Sequence, residues 1–189
     1  MKAGKPSRAK QGEATRARIL SAARQRFASD GYERATIRAI AADAGIDPSL
    51  VMRYFTNKQG LFVAAADIDL RLPQLRGVPR EKVGVVLVEH FLDRWQEDDI
   101  LEALLRTAAT NKRAAERMRT IWSTQPGPTL SAAGANSKPA TRAALINGLF
   151  LGFAYARFIL ELPPLVTMSH AGAVRWLAPI VQRYLYETP

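Results

Sequence analysis

The sequence predicts an all-α protein of about nine helices in two parts. Three observations predict it. Apolar residues recur three and four positions apart along most of the chain, which is the period of a helix with one buried face. Helix-capping residues (Thr36, Asp47, Asn57, Asn111, Ser169) stand immediately before such runs. The net charge of +10 is uneven: residues 1–60 carry 12 Lys and Arg against 5 Asp and Glu, and residues 61–189 carry 15 against 12. The first third is therefore a chemically distinct unit that suits a polyanion.

Residues 1–13 have few apolar side chains, and Lys2, Lys5, Arg8 and Lys10 recur along them, so a flexible basic arm is expected there. Such an arm could track phosphates or enter a minor groove. Residues 14–30 place Ile19, Leu20, Ala23 and Phe27 on one helical face and Arg16, Arg18, Arg24 and Arg26 off it, ending at Asp30-Gly31. Thr36 caps a second helix whose buried face is Ile37, Ile40 and Ala41. Gly45 supplies a left-handed turn, and Ile46 plugs that turn into the core. Asp47-Pro48 starts a third helix, because Asp accepts from free N–H groups and Pro at the first position forfeits no bond. Val51 and Phe55 point inward there, leaving Ser49, Met52, Arg53 and Tyr54 outside. Asn57 caps a fourth helix expected to run to about Leu70.

Two short helices joined by a glycine turn over residues 36–55 make a helix-turn-helix. Its second helix is of a size to enter the major groove, with the N-terminal side chains near base edges. The domain boundaries that follow are a basic arm at 1–13, a helix-turn-helix DNA-binding domain at 14–58, and a ligand-binding and dimerisation domain at 59–189.

Residues 15–66 resemble the DNA-binding domain of the TetR family of bacterial transcription regulators. The resemblance rests on Arg18-Ile19-Leu20 with Ala23 and Phe27, on Gly31-Tyr32, and on Thr36 with Ile40-Ala41. It continues through Ala44-Gly45-Ile46 and Tyr54-Phe55 to Asn57-Lys58 and Leu61. It implies phosphate or base-edge contacts at Thr36 and Arg38, and a groove-facing helix start at Asp47, Pro48 and Ser49. Met52 stands where many relatives carry a phosphate-touching tyrosine, so Arg53 or Tyr54 replaces that contact. Lys58 is similar to the family's phosphate-binding lysine, at a helix N-terminus that itself attracts phosphate.

Beyond the fourth helix, Leu72–Pro79 reads as a loop, residues 80–96 as a helix, Asp98-Asp99 as the start of the next, and Asn111–Thr124 as a capped helix. Residues 125–139, rich in Pro, Gly, Ser and Thr, read as a long, poorly ordered connection with room for a short turn at Leu130–Ala133. Residues 140–162 form the most apolar helix, on which Gly148, Gly152 and Ala156 make a stripe open to close packing. After Pro163-Pro164, Ser169 caps a last helix kinked by Pro179. The resemblance implies that the last two long helices form a dimer interface, with Gly148, Gly152, Ala156, Leu177, Val181 and Tyr184 as its candidates. It also implies an apolar effector among Phe91, Trp95, Met118, Trp122, Phe150 and Tyr155, with His90, Asn111, Asn147, Tyr155 and Arg157 as polar groups able to orient it.

The function these readings imply is a homodimeric transcriptional regulator, a repressor released from a palindromic double-stranded DNA operator by a small apolar effector. The alternative is a basic amphipathic protein of membrane surfaces or of a non-DNA partner. Enzyme chemistry lacks its parts: there is no cysteine, no glycine-rich phosphate loop, no paired nucleophile and base, and no metal-spaced set around His90 and His170. No cofactor, metal or membrane span is expected. Absent cysteines and the lack of an N-terminal apolar stretch suit a cytoplasmic protein.

Overall fold

The computed structural model describes residues 8–133 and 138–187 and contains no strand among them. The helices are α1 (Arg8–Arg34), α2 (Ile37–Ala44), α3 (Pro48–Phe55), α4 (Lys58–Ala65), α5 (Val83–Glu97), α6 (Asp99–Ala108) and α7 (Lys112–Thr124). They continue with α8 (Pro126–Ala132), α9 (Pro139–Ala154), α10 (Pro163–Val166) and α11 (His170–Tyr186). A single 3-10 turn, Arg80–Lys82, leads into α5, and a π-helical segment, Tyr155–Ile159, prolongs α9.

The capping chemistry read from the sequence forms. Thr36, Asp47, Asn57, Asn111 and Ser169 each accept a hydrogen bond from the backbone N–H two or three residues on. Gly45 is left-handed at φ 60°, ψ 45°, and the Ile46 N–H closes back on the Ala41 carbonyl at 2.9 Å, sealing the end of α2. Gly31, at φ 74° and ψ 169°, breaks α1 near its end in a conformation open only to glycine.

The structure corrects four expectations about elements. Residues 8–13 are helical rather than part of a flexible arm; Ala9, Gln11, Glu13 and Ala14 favour a helix, and the Tyr54 hydroxyl donates to the Gly12 carbonyl at 3.3 Å. Residues 1–7 of that arm lie outside the described residues. Helix α4 stops at Ala65 instead of Leu70, because side chains of other helices take the carbonyls that follow: Arg24 Nε that of Ala65 and Arg117 Nε that of Ala66. The expected loop at 125–139 begins with α8, started by Pro126 and held by Leu130, which is buried; residues 134–137 lie outside the described residues. Finally, Pro163-Pro164 not only follows the apolar helix but opens the single turn α10.

Two cores result. Around α1–α4, Ile19, Phe27, Ile40, Val51, Leu61 and Phe62 are fully buried. Phe27 meets Phe62 edge-to-face at 5.0 Å between centroids, and Tyr32 packs on the same Phe62 at 5.0 Å. The second core lies among α5–α9 and α11. There α5 and α11 cross closely at Gly84, whose N–H donates to Gln182 Oε1 at 2.8 Å. Arg142 joins the two ends of this core by donating to the Tyr184 and Glu187 carbonyls at the C-terminus of α11. The two cores meet where α1 packs on α6 and α4 on α7.

Candidate nucleic-acid interface and interior cavity

Helix α3 is presented by burial on one side only. Val51 and Phe55 anchor it, and Ser49, Met52 and Arg53 stand exposed on the other side together with Asp47 and Pro48 at its start. Thr36 and Arg38 are exposed at the start of α2. These seven sequence-predicted residues are therefore all exposed on the helix-turn-helix. Asp47 accepts from both the N–H (2.8 Å) and the hydroxyl of Ser49, and those bonds hold its carboxyl below the usual carboxylate range. An anionic Asp47 can accept from a cytosine amine but repels phosphate. Arg53 is exposed and has no carboxylate partner among the described residues, so its guanidinium is open to an anion.

The other two predicted contacts are half-buried. The Tyr54 hydroxyl is engaged by Gly12, so Tyr54 pins α3 to the first turns of α1. Of the two residues offered in place of the tyrosine replaced by Met52, Arg53 is the open one. Lys58 Nζ donates to the Glu33 carbonyl at 2.9 Å and lies 4.6 Å from the Tyr32 ring centroid, which leaves it two further N–H groups. Behind this surface, Arg26 holds Asp43 through two bonds of 2.8 and 2.7 Å, fixing α2 on α1 and keeping the Asp43 carboxyl below its ordinary range.

A cavity of about 40 Å³ lies inside the second core. Of the six candidates, Phe91, Trp95, Trp122 and Phe150 line it, with Phe91 and Phe150 stacked at 4.3 Å and 8°. Met118 does not; it is buried behind Trp122, whose Nε1 donates to its sulfur. Tyr155 is exposed on the far side of α9. Among the polar candidates His90 and Asn147 reach the wall, whereas Asn111 caps α7 and Arg157 donates to the Leu165 and Met168 carbonyls. The sequence reading missed Arg94, which lines the cavity at 6 % exposure. The available signal was a charge three residues after Phe91, on an apolar helix face. It also missed Leu70, Leu72, Thr129 and Leu130, which belong to stretches read as helix end or loop.

The segment that joins α4 to α5 runs past this wall. His90 Nε2 donates to the Leu70 carbonyl at 2.9 Å, and one terminal nitrogen of Arg94 donates to the Asp69 carbonyl at 3.2 Å. Gln125 holds the same segment at both edges, donating to the Ile68 carbonyl and accepting from the Leu70 N–H. One end of the segment is thus bonded to the cavity wall and the other continues directly into α4.

On the outside of the second core an apolar face lies open. Gly148 and Gly152 are exposed on α9 with no atom near the position of an added Cβ, next to exposed Leu145 and Tyr155 and half-buried Ala156. On α11 the exposed side is Trp176 (71 % exposed), Pro179 and Ile180. Leu177 and Val181, expected at a dimer interface, are buried here where α11 packs on α5. Tyr184 is half-buried.

Residues 19–65 match the family model of bacterial regulatory proteins of the tetR family, and residues 81–185 match that of the tetracyclin repressor-like C-terminal domain. The HTH-type transcriptional regulator UidR of Escherichia coli K12 is 30% identical over 112 residues, which are 58% of this chain and 55% of UidR. The chain thus aligns with about half the length of the curated relatives it matches. Salmonella enterica GusR shares the fold at a TM-score of 0.67, with 19% identity over 91% of this chain and 95% of that one. A TetR transcriptional regulator from Rhodococcus sp. RHA1 does so at 0.61, with 19% identity over 95% and 99%. With one family model on the helix-turn-helix and the other on more than half of its residues, the chain belongs to the TetR family of bacterial regulators.

Proposed function

We propose that the protein is a homodimeric, sequence-specific DNA-binding regulator, a repressor that a small apolar molecule releases from its operator. The observation that carries this reading is the outer row of α3, with Arg53 unpaired on it, at the most basic part of the chain. Thr36 and Arg38 flank that row, and Lys58 adds a phosphate donor at the N-terminus of α4. A second copy would cover the face of Gly148, Gly152, Trp176 and Ile180, setting two α3 helices about 34–36 Å apart, one helical turn of DNA. The operator is then a near-palindrome.

Coupling between cavity and DNA runs through residues 66–72. A ligand that parts α8 from α5 strains the bonds from His90, Arg94 and Gln125 to this segment, and the segment moves α4. Release follows if the ligand binds the moved form better, by its difference in affinity between the two forms.

The test is fluorescence anisotropy with DNA from upstream of the protein's own gene, across a salt series. Arg53→Ala should weaken binding about tenfold and reduce the salt slope by about one counterion. Unchanged affinity and slope would remove α3 as the reading helix. Sizing in solution should give about 42 kDa, twice the 20.8 kDa of one chain; Trp176→Glu should halve it.

A further inference from the structure

The cavity wall also says what kind of molecule it takes, an inference that rests on reading the cavity as the effector site. The wall is apolar apart from His90, Arg94, Thr129 and Asn147. Arg94 carries the argument. Its Nε–H has no acceptor, and it is the one buried side-chain nitrogen or oxygen in that condition among the described residues. The rest of the guanidinium is in use. One terminal nitrogen donates to the Asp69 carbonyl at 3.2 Å and to Asp98 at 2.9 Å, and the other lies 3.6 Å from Glu97. A buried donor left unpaired is costly, so this N–H calls for an oxygen acceptor in the cavity.

Charge narrows the class. The single cation of the wall already faces two carboxylates, Asp98 and Glu97. A ligand carboxylate would bring a third anion to one guanidinium in a desolvated place, which is unfavourable. His90 already spends its Nε2–H on the Leu70 carbonyl. Phe91, Trp95, Trp122 and Phe150 set aromatic rings among the leucines and Ile146 of the apolar wall. We propose that the cavity takes a neutral, largely apolar molecule carrying one carbonyl oxygen, such as a ketone or lactone, and that Arg94 Nε–H donates to that oxygen.

At about 40 Å³ the cavity has room for water but not for a ring, and a single ring enters only as α8 moves outward with Pro126, Thr129 and Leu130. Water is therefore the competing occupant.

The experiment is isothermal titration of the full-length protein, without DNA, using three one-ring probes: acetophenone, ethylbenzene and benzoate. Acetophenone should bind at least about tenfold more tightly than either of the others, as expected for a hydrogen bond from a charged donor. In Arg94→Lys, which keeps the charge and removes the Nε–H, its advantage over ethylbenzene should fall below about twofold. The series on the unaltered protein decides the matter even if that variant does not fold. Equal binding of acetophenone and ethylbenzene would overturn the proposal by showing that no acceptor is needed, and binding of neither would overturn it by leaving the cavity to water. Tightest binding of benzoate would overturn it in favour of an acid. A parallel anisotropy titration separates the two readings: acetophenone that binds with the expected preference yet leaves DNA bound sinks the effector role and keeps the ligand class.

Discussion

The helix-turn-helix head, α1–α4, and the second core, α5–α11, are both helical, but the bonds that shape them act at different ranges. In the head the bonds that draw the helix-turn-helix are local: Thr36 caps Ala39, Asp47 caps Ser49, Asn57 caps Gly60, and the Gly45 turn closes on Ala41 and Ala42. Longer-range bonds, Arg26 with Asp43 and Tyr54 with Gly12, then tie its helices together. In the second core the bonds that shape the cavity and the α5–α11 crossing are all distant: Gly84 with Gln182, Arg142 with Tyr184, and Gln125 with Leu70. Packing differs in the same way. Both bury large side chains completely, Ile19, Phe27, Ile40, Leu61 and Phe62 in the head and Val88, Leu101, Leu104 and Leu185 in the second core, but the second core also keeps a cavity. Under the proposed function, a surface that meets DNA in one register needs a filled, rigid support, and one that admits a ligand needs room that packing has left unfilled.

The sharpest break of this comparison is the same deletion on both sides. Phe27→Ala removes a ring with no exposed surface and should cost about 3–5 kcal/mol. Phe150→Ala removes a ring that already borders a cavity. It should cost less, and a one-ring apolar ligand should return part of the loss. Urea denaturation of both variants, with and without ethylbenzene, measures this. Equal losses with no recovery for Phe150→Ala would mean that the two cores are packed alike.

A smaller effect comes from two glycines at close approaches. A Cβ at Gly60 would collide with the Phe55 carbonyl, and one at Gly84 would lie 2.6 Å from the Ala178 carbonyl. Each alanine variant should lose about 1–3 kcal/mol. They differ in what else they change. Gly60→Ala disturbs the junction of α3 and α4 and should weaken DNA binding while leaving dimer mass unchanged. Gly84→Ala parts α5 from α11, so it should loosen the dimer first. Sizing and anisotropy on the same samples separate the two; a reversed pattern would contradict the division of labour.

How far each region could be read in advance follows from the same contrast. The helix-turn-helix was legible to the residue, because Thr36, Gly45, Asp47-Pro48 and Asn57 act within four residues of themselves. Where a distant partner decides, the reading slipped. Helix α4 was drawn too long because Arg24 and Arg117, which take the carbonyls beyond it, are remote in sequence. Leu177 and Val181 carry the same periodic signal whether they face α5 or another subunit, so periodicity could not assign them. The cavity was half legible: its aromatic residues announced themselves, but Arg94 did not, since only the folded packing shows that its charge is buried.

The smallest effect is one of pH, and it should have opposite signs in the two regions. In the head, the hydrogen bonds of Arg26 hold the Asp43 carboxyl below its ordinary value of 3.8. Its contribution is present above that value and is lost as pH falls through the lowered one. In the second core, burial raises the Glu102 carboxyl above its ordinary 4.5, against the pull of Arg106. The penalty on charged Glu102 is therefore relieved as pH falls through the raised value, down to the ordinary one. Both side chains are about a third exposed, so solvent and salt screen both effects. Asp43→Asn should lower the thermal midpoint at pH 7 and converge with the unaltered protein in acid, below 3.8. Glu102→Gln should raise the midpoint at pH 7 or leave it unchanged, with any gain shrinking as pH falls through the raised value towards 4.5. Melting curves at low and high salt measure both differences. A common sign would mean that Arg106, not burial, governs Glu102, and that the two regions answer protons alike.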